Sequence, residues 1–215
     1  MNPRTQAAGV AGLIAGLGLI GEFVLFTISG SRPTTLLHAT TALPFLQQHS
    51  TTIRAAAVLG AANAALAVIF LAGLAARLHA KAPTLAVATL YLGIIGTAGD
   101  ALVAISLWLG TPSFNQLAAN DHTAASPAWE AFAAVNNTFG GLGNLFLGLS
   151  LLTAGWAIAS TKTLPTTTGW IALIAGAATL ARVLGLDAAF LVSLILAIAF
   201  RIWTGIHLWR SAHTA

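Results

Sequence analysis

Residues 130–159 are the stretch that most constrains how this chain can fold. They read EAFAAVNNTFGGLGNLFLGLSLLTAGWAIA, which is long enough to cross a bilayer, since a spanning helix needs about 20 mostly apolar residues. One stripe of the predicted helix collects small and polar residues, which are Asn136, Asn137, Gly140, Gly141, Asn144 and Gly148. Amides find no hydrogen-bond partners in lipid, whereas small residues let helices approach closely. The stretch therefore predicts a helix that faces other helices near the centre of a bundle.

The composition of the chain places it in a membrane. Only 7% of the 215 residues are charged and 57% are hydrophobic, whereas a soluble domain carries about 25% charged residues. Six spans of about 20 to 27 residues, joined by short loops, use up this length. We therefore predict an all-α, polytopic integral membrane protein, a six-transmembrane-helix bundle that forms one membrane domain over residues 1–215. The predicted spans are residues 7–29, 54–78, 84–110, 130–159, 168–186 and 188–209.

The distribution of basic residues predicts the orientation of this bundle. With both termini inside, the inner segments hold Arg4, Arg77, Lys81, Lys162 and Arg210. The outer segments then hold only Arg32 and Arg54, and an excess of positive charge favours the cytoplasmic side. We therefore expect cytoplasmic N- and C-termini in a multi-pass protein of the cell (plasma) membrane.

Two outer segments, residues 30–53 and 111–128, are predicted as exposed loops. The first contains LLHATTALPFLQQ, which suggests a short interfacial helix, and it is too long to be a simple turn. The second contains two prolines and no basic residue. Trp129, which follows it, is expected at the membrane interface, where tryptophan is enriched.

Polar residues on different spans fall at a common depth. Counting about 1.5 Å per residue, Glu22, Asn63, Asp100, Asn137 and Arg182 lie roughly 5 to 15 Å below the outer surface, and Arg201 lies nearer the inner side. The candidate binding residues of this polar layer are Glu22, Asn63, Asp100, Asn136, Asn137, Asn144, Arg182 and Arg201. Because isolated charges are costly inside a membrane, we predict that Arg182 pairs with Asp100 or Glu22.

Several interpretations of the polar layer remain open. It can line a pocket or path open to the outside that binds or moves a small solute, or that relays protons through Glu22 and Asp100. It can instead be a structural ion-pair network, with asparagines as interhelical hydrogen-bond partners in an interaction module. A membrane-embedded enzyme that acts on a lipid or prenyl substrate is a further alternative, although no phosphate-binding glycine loop or serine-nucleophile motif is present and the sequence favours a non-enzymatic protein.

The remaining signals limit cofactors and partners. The chain has no cysteine, which excludes disulfides and thiolate metal sites. Outer-loop histidines together with Glu130 or Asp121 could form a zinc site, but solvated loop histidines are the ordinary interpretation. We therefore expect neither a metal nor another cofactor. The expected partners are the lipid bilayer and, as open alternatives, other membrane protein subunits or a homo-oligomer. No basic cluster with interleaved aromatics exists, so no nucleic acid is expected.

The passage LFLGLSLLTAGWAIASTKTLPTTTGWIALIAG resembles an uncharacterised bacterial family of six-span membrane proteins, a domain of unknown function. The family pattern is a span with FxxGLxLLxxG, a turn with LPxxxG and then another small-residue span. The residues that carry the resemblance are Phe146, Gly148, Leu149, Leu151, Leu152, Leu164, Pro165 and Gly169, within residues 146–176. This chain has FLGL where the pattern has the FxxGL spacing. The resemblance implies a six-helix bundle without an established activity, and it transfers no site residues.

Overall fold

The chain is helical throughout the part that the computed structural model describes, residues 3–30, 35–186 and 188–211. The six helices of these ranges are α1 (Pro3–Ile28), α2 (Ala39–His79), α3 (Pro83–Asn120), α4 (His122–Thr161), α5 (Thr166–Val183) and α6 (Ala189–Ser211). Five of them, all except the 18-residue α5, are long and apolar enough to cross a membrane. Arg32 and Asp187, which the sequence places in connections, lie outside the described residues.

The six helices form a closed ring. Each helix packs against its neighbours in sequence, α6 packs against α1, and α2 also reaches α4 and α6 across the ring. Neighbouring helices run antiparallel, so that the start of α1 and the end of α6 lie at one end of the bundle. We call this the terminal end and the opposite one the distal end. Within the described ranges α1 does not pack against α4, so the ring leaves room for an interior.

Glycines set the closest seams of this ring. A Cβ atom placed on Gly155 would lie only 2.7 Å from the carbonyl oxygen of Gly169, which lies across the α4–α5 seam. At the α3–α4 seam, a Cβ on Gly99 would lie 2.7 Å from the Cα of Gly143. Glycine at these positions lets the helix backbones pack directly on one another. Such close packing stabilises helix pairs in a membrane, where the hydrophobic effect does not drive helices together.

Two apolar cores lie at the two ends of the bundle. All six helices contribute to the terminal core, and its largest buried side chains are Phe70, Leu74, Leu78, Ile158, Phe200 and Leu208. The distal core joins the beginning of α2 to the end of α3 and the beginning of α4, with Leu46, Ile53, Leu107 and Trp129 among its members. The space between the two cores is where the polar residues gather.

The distal core overturns the prediction of a loop over residues 111–128. These residues continue α3 to Asn120 and resume as α4 at His122, with Asp121 alone between the helices. Pro112 and Pro127 lie inside the helices, where each removes one backbone hydrogen bond. Packing of the surrounding apolar residues in the distal core stabilises these segments as helices, which local turn signals could not reveal.

The predicted loop over residues 30–53 is also largely helical. Helix α2 begins at Ala39 and runs through this segment into the span, and its one non-helical residue is His49, at φ −122° and ψ 22°. The expected short helix is therefore joined to the span across a kink. Trp129 is 1% exposed and packs against the rings of Phe114 and Phe132, so its side chain lies inside the bundle and not on its surface.

Candidate functional site

A cavity of about 510 Å³ lies in the distal half of the ring and receives side chains from all six helices. Its lining includes every residue that the sequence assigned to the polar layer, namely Glu22, Asn63, Asp100, Asn136, Asn137, Asn144, Arg182 and Arg201. The amides and ionisable groups of separate helices therefore line one shared space. This volume falls within the roughly 300 to 1,000 Å³ of ordinary ligand pockets.

Helix α4 supplies the amide side of the cavity. The side-chain oxygen of Asn136 accepts a hydrogen bond of 2.6 Å from the hydroxyl of Ser106 on α3. The Nδ2 of Asn144 donates to the carbonyl oxygen of Gly140 at 2.7 Å, which turns its Oδ1 toward the cavity. Asn137, by contrast, is exposed. Four members of the stripe that the sequence predicted thus line the cavity, namely Asn136, Asn137, Gly140 and Asn144.

The two arginines contact amides. Arg201 on α6 donates from Nη1 to Oδ1 of Asn63 on α2 at 3.4 Å. Arg182 on α5 donates from Nη1 to Oδ1 of Asn144 at 3.4 Å, and its guanidinium carbon lies 4.6 Å from the ring centre of Phe190. The predicted pairing of Arg182 with Asp100 or Glu22 stays a prediction, with the amide of Asn144 and the ring of Phe190 among the contacts of Arg182. Because Arg182 is in the last turn of α5, it meets α4 and α6 first.

Each carboxylate lies beside a glycine of a neighbouring helix. A Cβ atom on Gly60 would be 3.1 Å from Oε1 of Glu22, and one on Gly143 would be 2.9 Å from Oδ1 of Asp100. The charge of Asp100 interacts with those of Arg201 and Arg182, and the charge of Glu22 interacts with those of Asp100 and Arg201. Among the described residues, two acids and two bases therefore line the cavity and interact electrostatically.

Aromatic side chains close the cavity toward the terminal end. Phe70 and Phe200 both line it, with ring centres 6.0 Å apart and planes at 78°, and both belong to the terminal core. Sequence reasoning missed these residues, although a signal existed. Phe70 follows Asn63 by seven positions and so shares its helix face, and Phe200 directly precedes Arg201. The cavity thus ends on an aromatic floor.

The carboxylates considered for a zinc site serve as helix caps. The Oδ1 of Asp121 accepts from the backbone N–H of Ala124 at 3.0 Å, and Oε1 of Glu130 accepts from that of Ala39 at 2.7 Å. Within the described ranges, no group of three or more His, Asp or Glu residues could hold a metal ion. We therefore take the cavity, and not the outer histidines, as the candidate functional site.

One of three comparisons with known proteins finds a match for the chain. No curated protein and no solved structure matches it. The family model described as a domain of unknown function (DUF4386) matches residues 14–209. The match includes α2 to α5 in full, part of α1, most of α6 and all eight residues of the predicted polar layer. The chain therefore belongs to the family of the domain of unknown function DUF4386.

Proposed function

We propose that this protein crosses the plasma membrane six times with both termini in the cytoplasm, and that its cavity opens to the outside and binds a small solute. The observation that carries the proposal is the gathering of eight polar residues from six helices around one space above an aromatic floor. A site of this kind offers donors, acceptors and both signs of charge to a ligand.

Helix α5 is the sixth crossing in this proposal. Its 18 residues give a length of about 27 Å, slightly below the ~30 Å of a hydrocarbon core. Small mismatches of this kind are accommodated by local thinning of the bilayer. The terminal end carries Arg77, Lys81, Lys162 and Arg210, whereas Arg54 lies toward the distal end. This asymmetry supports a cytoplasmic terminal end.

The position of the two carboxylates supports a binding role. Asp100 and Glu22 both line the open volume of the cavity, and Arg201 lines it as well while donating to Asn63. These groups can therefore contact an occupant of the cavity directly.

The lack of cysteine allows a direct test by single-cysteine labelling. Asn137 and Asn144 line the cavity, whereas Leu142, between them in sequence, is exposed on another face of α4. With a membrane-impermeant thiol reagent added to intact cells, we expect Asn137→Cys and Asn144→Cys to react and Leu142→Cys to stay unlabelled, because a thiol in lipid does not ionise. Equal reaction at all three positions, or none, would refute a hydrated cavity open to the outside.

The same assay tests the orientation. Thr167 is exposed in the first turn of α5, at the terminal end. Thr167→Cys should react only after the cells are permeabilised. Labelling of Thr167→Cys in intact cells would place the terminal end outside and reverse the proposed topology.

A second candidate function, proton handling, is favoured by the two carboxylates, Glu22 and Asp100, that line the same cavity. In proteoliposomes with a pH gradient and an internal fluorescent pH indicator, we expect the protein to carry protons and Asp100→Asn to abolish this flux. Leu142→Ala, on the outer face of α4, serves as the control. A flux that survives in Asp100→Asn would remove the carboxylate from any relay.

A further inference from the structure

A second cavity, of about 400 Å³, opens at the terminal end of the bundle. Its lining joins three segments that lie far apart in sequence, which are the last turn of α2, the turn between α4 and α5, and the end of α6. Each segment contributes one basic side chain, namely Arg77, Lys162 and His207, respectively. We call this cavity the terminal pocket. It shares no lining residue with the cavity in the distal half of the ring.

No acidic side chain among the described residues lines the terminal pocket. The whole chain has five acidic residues. Glu22 and Asp100 line the cavity of the distal half, and Asp121 and Glu130 cap helices at the distal end. The fifth, Asp187, lies outside the described residues. The described carboxylates therefore lie away from the terminal pocket and do not neutralise its basic side chains.

Two basic side chains of the pocket are available to a ligand. Arg77 and Lys162 are exposed, and over the described ranges neither makes an ion pair or a hydrogen bond. The neighbouring Lys81, by contrast, donates to the carbonyl oxygen of Thr161 at 3.3 Å and so satisfies the C-terminal end of α4. A cytoplasmic excess of positive charge requires basic residues at this end, but it does not require that they converge on one cavity. Their convergence without a carboxylate suits an anion from outside the chain.

Helix α5 begins at the terminal pocket, since Pro165 and Thr166 both line it. Pro165 is the N-cap residue, and this 18-residue helix has no side-chain cap. The N–H groups of a first helical turn lack partners inside the helix and carry partial positive charge. This helix end therefore adds donors to the basic side chains that already converge on the pocket.

Exposed tryptophans mark the level of the terminal pocket relative to the bilayer. Trp170 on α5 is 56% exposed and lies four residues after Thr166, about 6 Å along the helix. Trp156 on α4 is 62% exposed and lies six residues before Lys162. Because tryptophan prefers the head-group region of a membrane, the terminal pocket lies near the level of the lipid phosphates.

We propose that the terminal pocket binds the phosphate of an anionic phospholipid from the surrounding leaflet. Arg77 and Lys162 contact the phosphate oxygens, because charge-assisted hydrogen bonds to phosphate are strong. His207 and the first N–H groups of α5 supply further donors. Basic pockets between transmembrane helices bind anionic head groups in this way. The proposal rests neither on the cavity of the distal half nor on its proposed solute.

Protection of a single cysteine tests the proposal in the full-length protein, purified in detergent. Thr166 lines the terminal pocket, whereas Thr167, the next residue, is exposed outside its lining. The probe is dihexanoylphosphatidylglycerol, a soluble lipid with an anionic head group. At about ten times its Kd, this probe should slow thiol labelling of Thr166→Cys by about tenfold, because it occupies most of the sites. Labelling of Thr167→Cys, the matched control, should change by less than about twofold.

Two further probes separate the source of the phosphate from its charge. Dihexanoylphosphatidylcholine has the same chains but brings a cation toward Arg77 and Lys162, so it should protect Thr166→Cys by less than about twofold. Inorganic phosphate has the anion without chains and should protect more weakly than the anionic lipid. Equal protection by the zwitterionic lipid would overturn recognition of an anion. Equal protection by inorganic phosphate would keep the phosphate site and overturn the lipid as its source. Absence of protection by all three probes in the folded protein would remove the site.

Charge-removing variants in the Thr166→Cys protein identify the contacts. Arg77→Gln and Lys162→Asn should each raise the apparent Kd for the anionic lipid by about tenfold, the effect of losing one charge-assisted contact. Lys162 has a positive φ of 52°, a conformation that asparagine tolerates, so Lys162→Asn removes the charge without straining the turn. Arg210→Gln is the control, because it removes one charge from the same end outside the pocket lining, and it should change the Kd by less than about twofold. An equal loss of affinity in Arg210→Gln would show a general attraction to the basic end and refute a specific pocket.

Discussion

The side chain of Glu130 on α4 accepts a hydrogen bond from the backbone N–H of Ala39, the first residue of α2, over a distance of 2.7 Å. These residues are 91 positions apart in sequence. The side chain of His38, the residue before Ala39, does not cap this helix end. A carboxylate suits the site because the N-terminus of a helix leaves unsatisfied N–H groups and carries partial positive charge. The contact fixes the beginning of α2 against the distal core.

Removal of this cap should weaken the distal end of the bundle. Replacement of a helix N-cap by alanine typically costs about 0.5 to 2 kcal/mol, and we expect Glu130→Ala to lower the free energy of unfolding by this amount. Hydrogen exchange should accelerate in residues 39–48. Glu130→Gln keeps an acceptor oxygen and should have a smaller effect. If Glu130→Ala exchanges no faster than the native protein in residues 39–48, the contact does not hold α2 in place.

Two glycines of α4, Gly141 and Gly143, should respond in opposite ways to alanine because they point to different sides of the helix. A Cβ on Gly143 would lie 2.9 Å from Asp100 Oδ1 and 3.1 Å from the carbonyl oxygen of Gly96, whereas Gly141 has nothing within 4 Å of that position. We expect Gly143→Ala to destabilise the protein by about 1 to 3 kcal/mol through overpacking. Gly141→Ala should be neutral or stabilise by up to about 1 kcal/mol, because alanine favours the helix. Thermal unfolding in one detergent compares the two, and similar losses at both positions would contradict the α3–α4 crossing.

The balance of charge in the cavity predicts a compensating pair of substitutions. Arg201→Gln removes a cation that interacts with Asp100 and Glu22, and leaves both carboxylates in the interior. We expect a loss of about 3 kcal/mol, the lower end of the cost of breaking a buried charge pair. Adding Asp100→Asn should restore part of that stability. A double-mutant cycle measures the coupling, and strictly additive losses would show that the two groups do not stabilise each other.

The placement of polar residues around a common space could be predicted from the sequence, because an amide or a charge in lipid is costly in any helix bundle. Asn144 and Asp100 each share a helix face with small residues, and that pattern suffices to turn them inward. Their assignment as a binding site remains a prediction. The aromatic floor was overlooked because Phe70 and Phe200 resemble the apolar residues that face lipid on any span. Only the arrangement of the helices in a ring shows which apolar residues face the cavity and which face lipid.

The contact of Arg182 with Asn144 and the helical structure of the predicted loops could not be predicted from the sequence, because both depend on contacts between distant segments. Arg182 contacts Asn144 since α5 ends beside the middle of α4, a register that helix lengths alone do not determine. Likewise, residues 111–128 contain the prolines and polar residues of a loop, yet packing in the distal core stabilises them as helix. The prolines do remove backbone hydrogen bonds, as the sequence indicates. The sequence does not show the packing in the distal core that compensates for this loss.

The aromatic floor predicts a sharp boundary in accessibility along α6. Ala197 lines the cavity, and Thr204, seven residues later on the same helix face, is fully buried on the other side of Phe200. With an impermeant thiol reagent added from outside, Ala197→Cys should react at least about tenfold faster than Thr204→Cys, because exposure governs thiol reactivity. Phe70→Ala, which removes one ring of the floor, should raise the rate at Thr204→Cys and leave that at Ala197→Cys unchanged. Comparable rates at both cysteines with Phe70 intact would mean that the cavity continues through the terminal core as a path across the bundle.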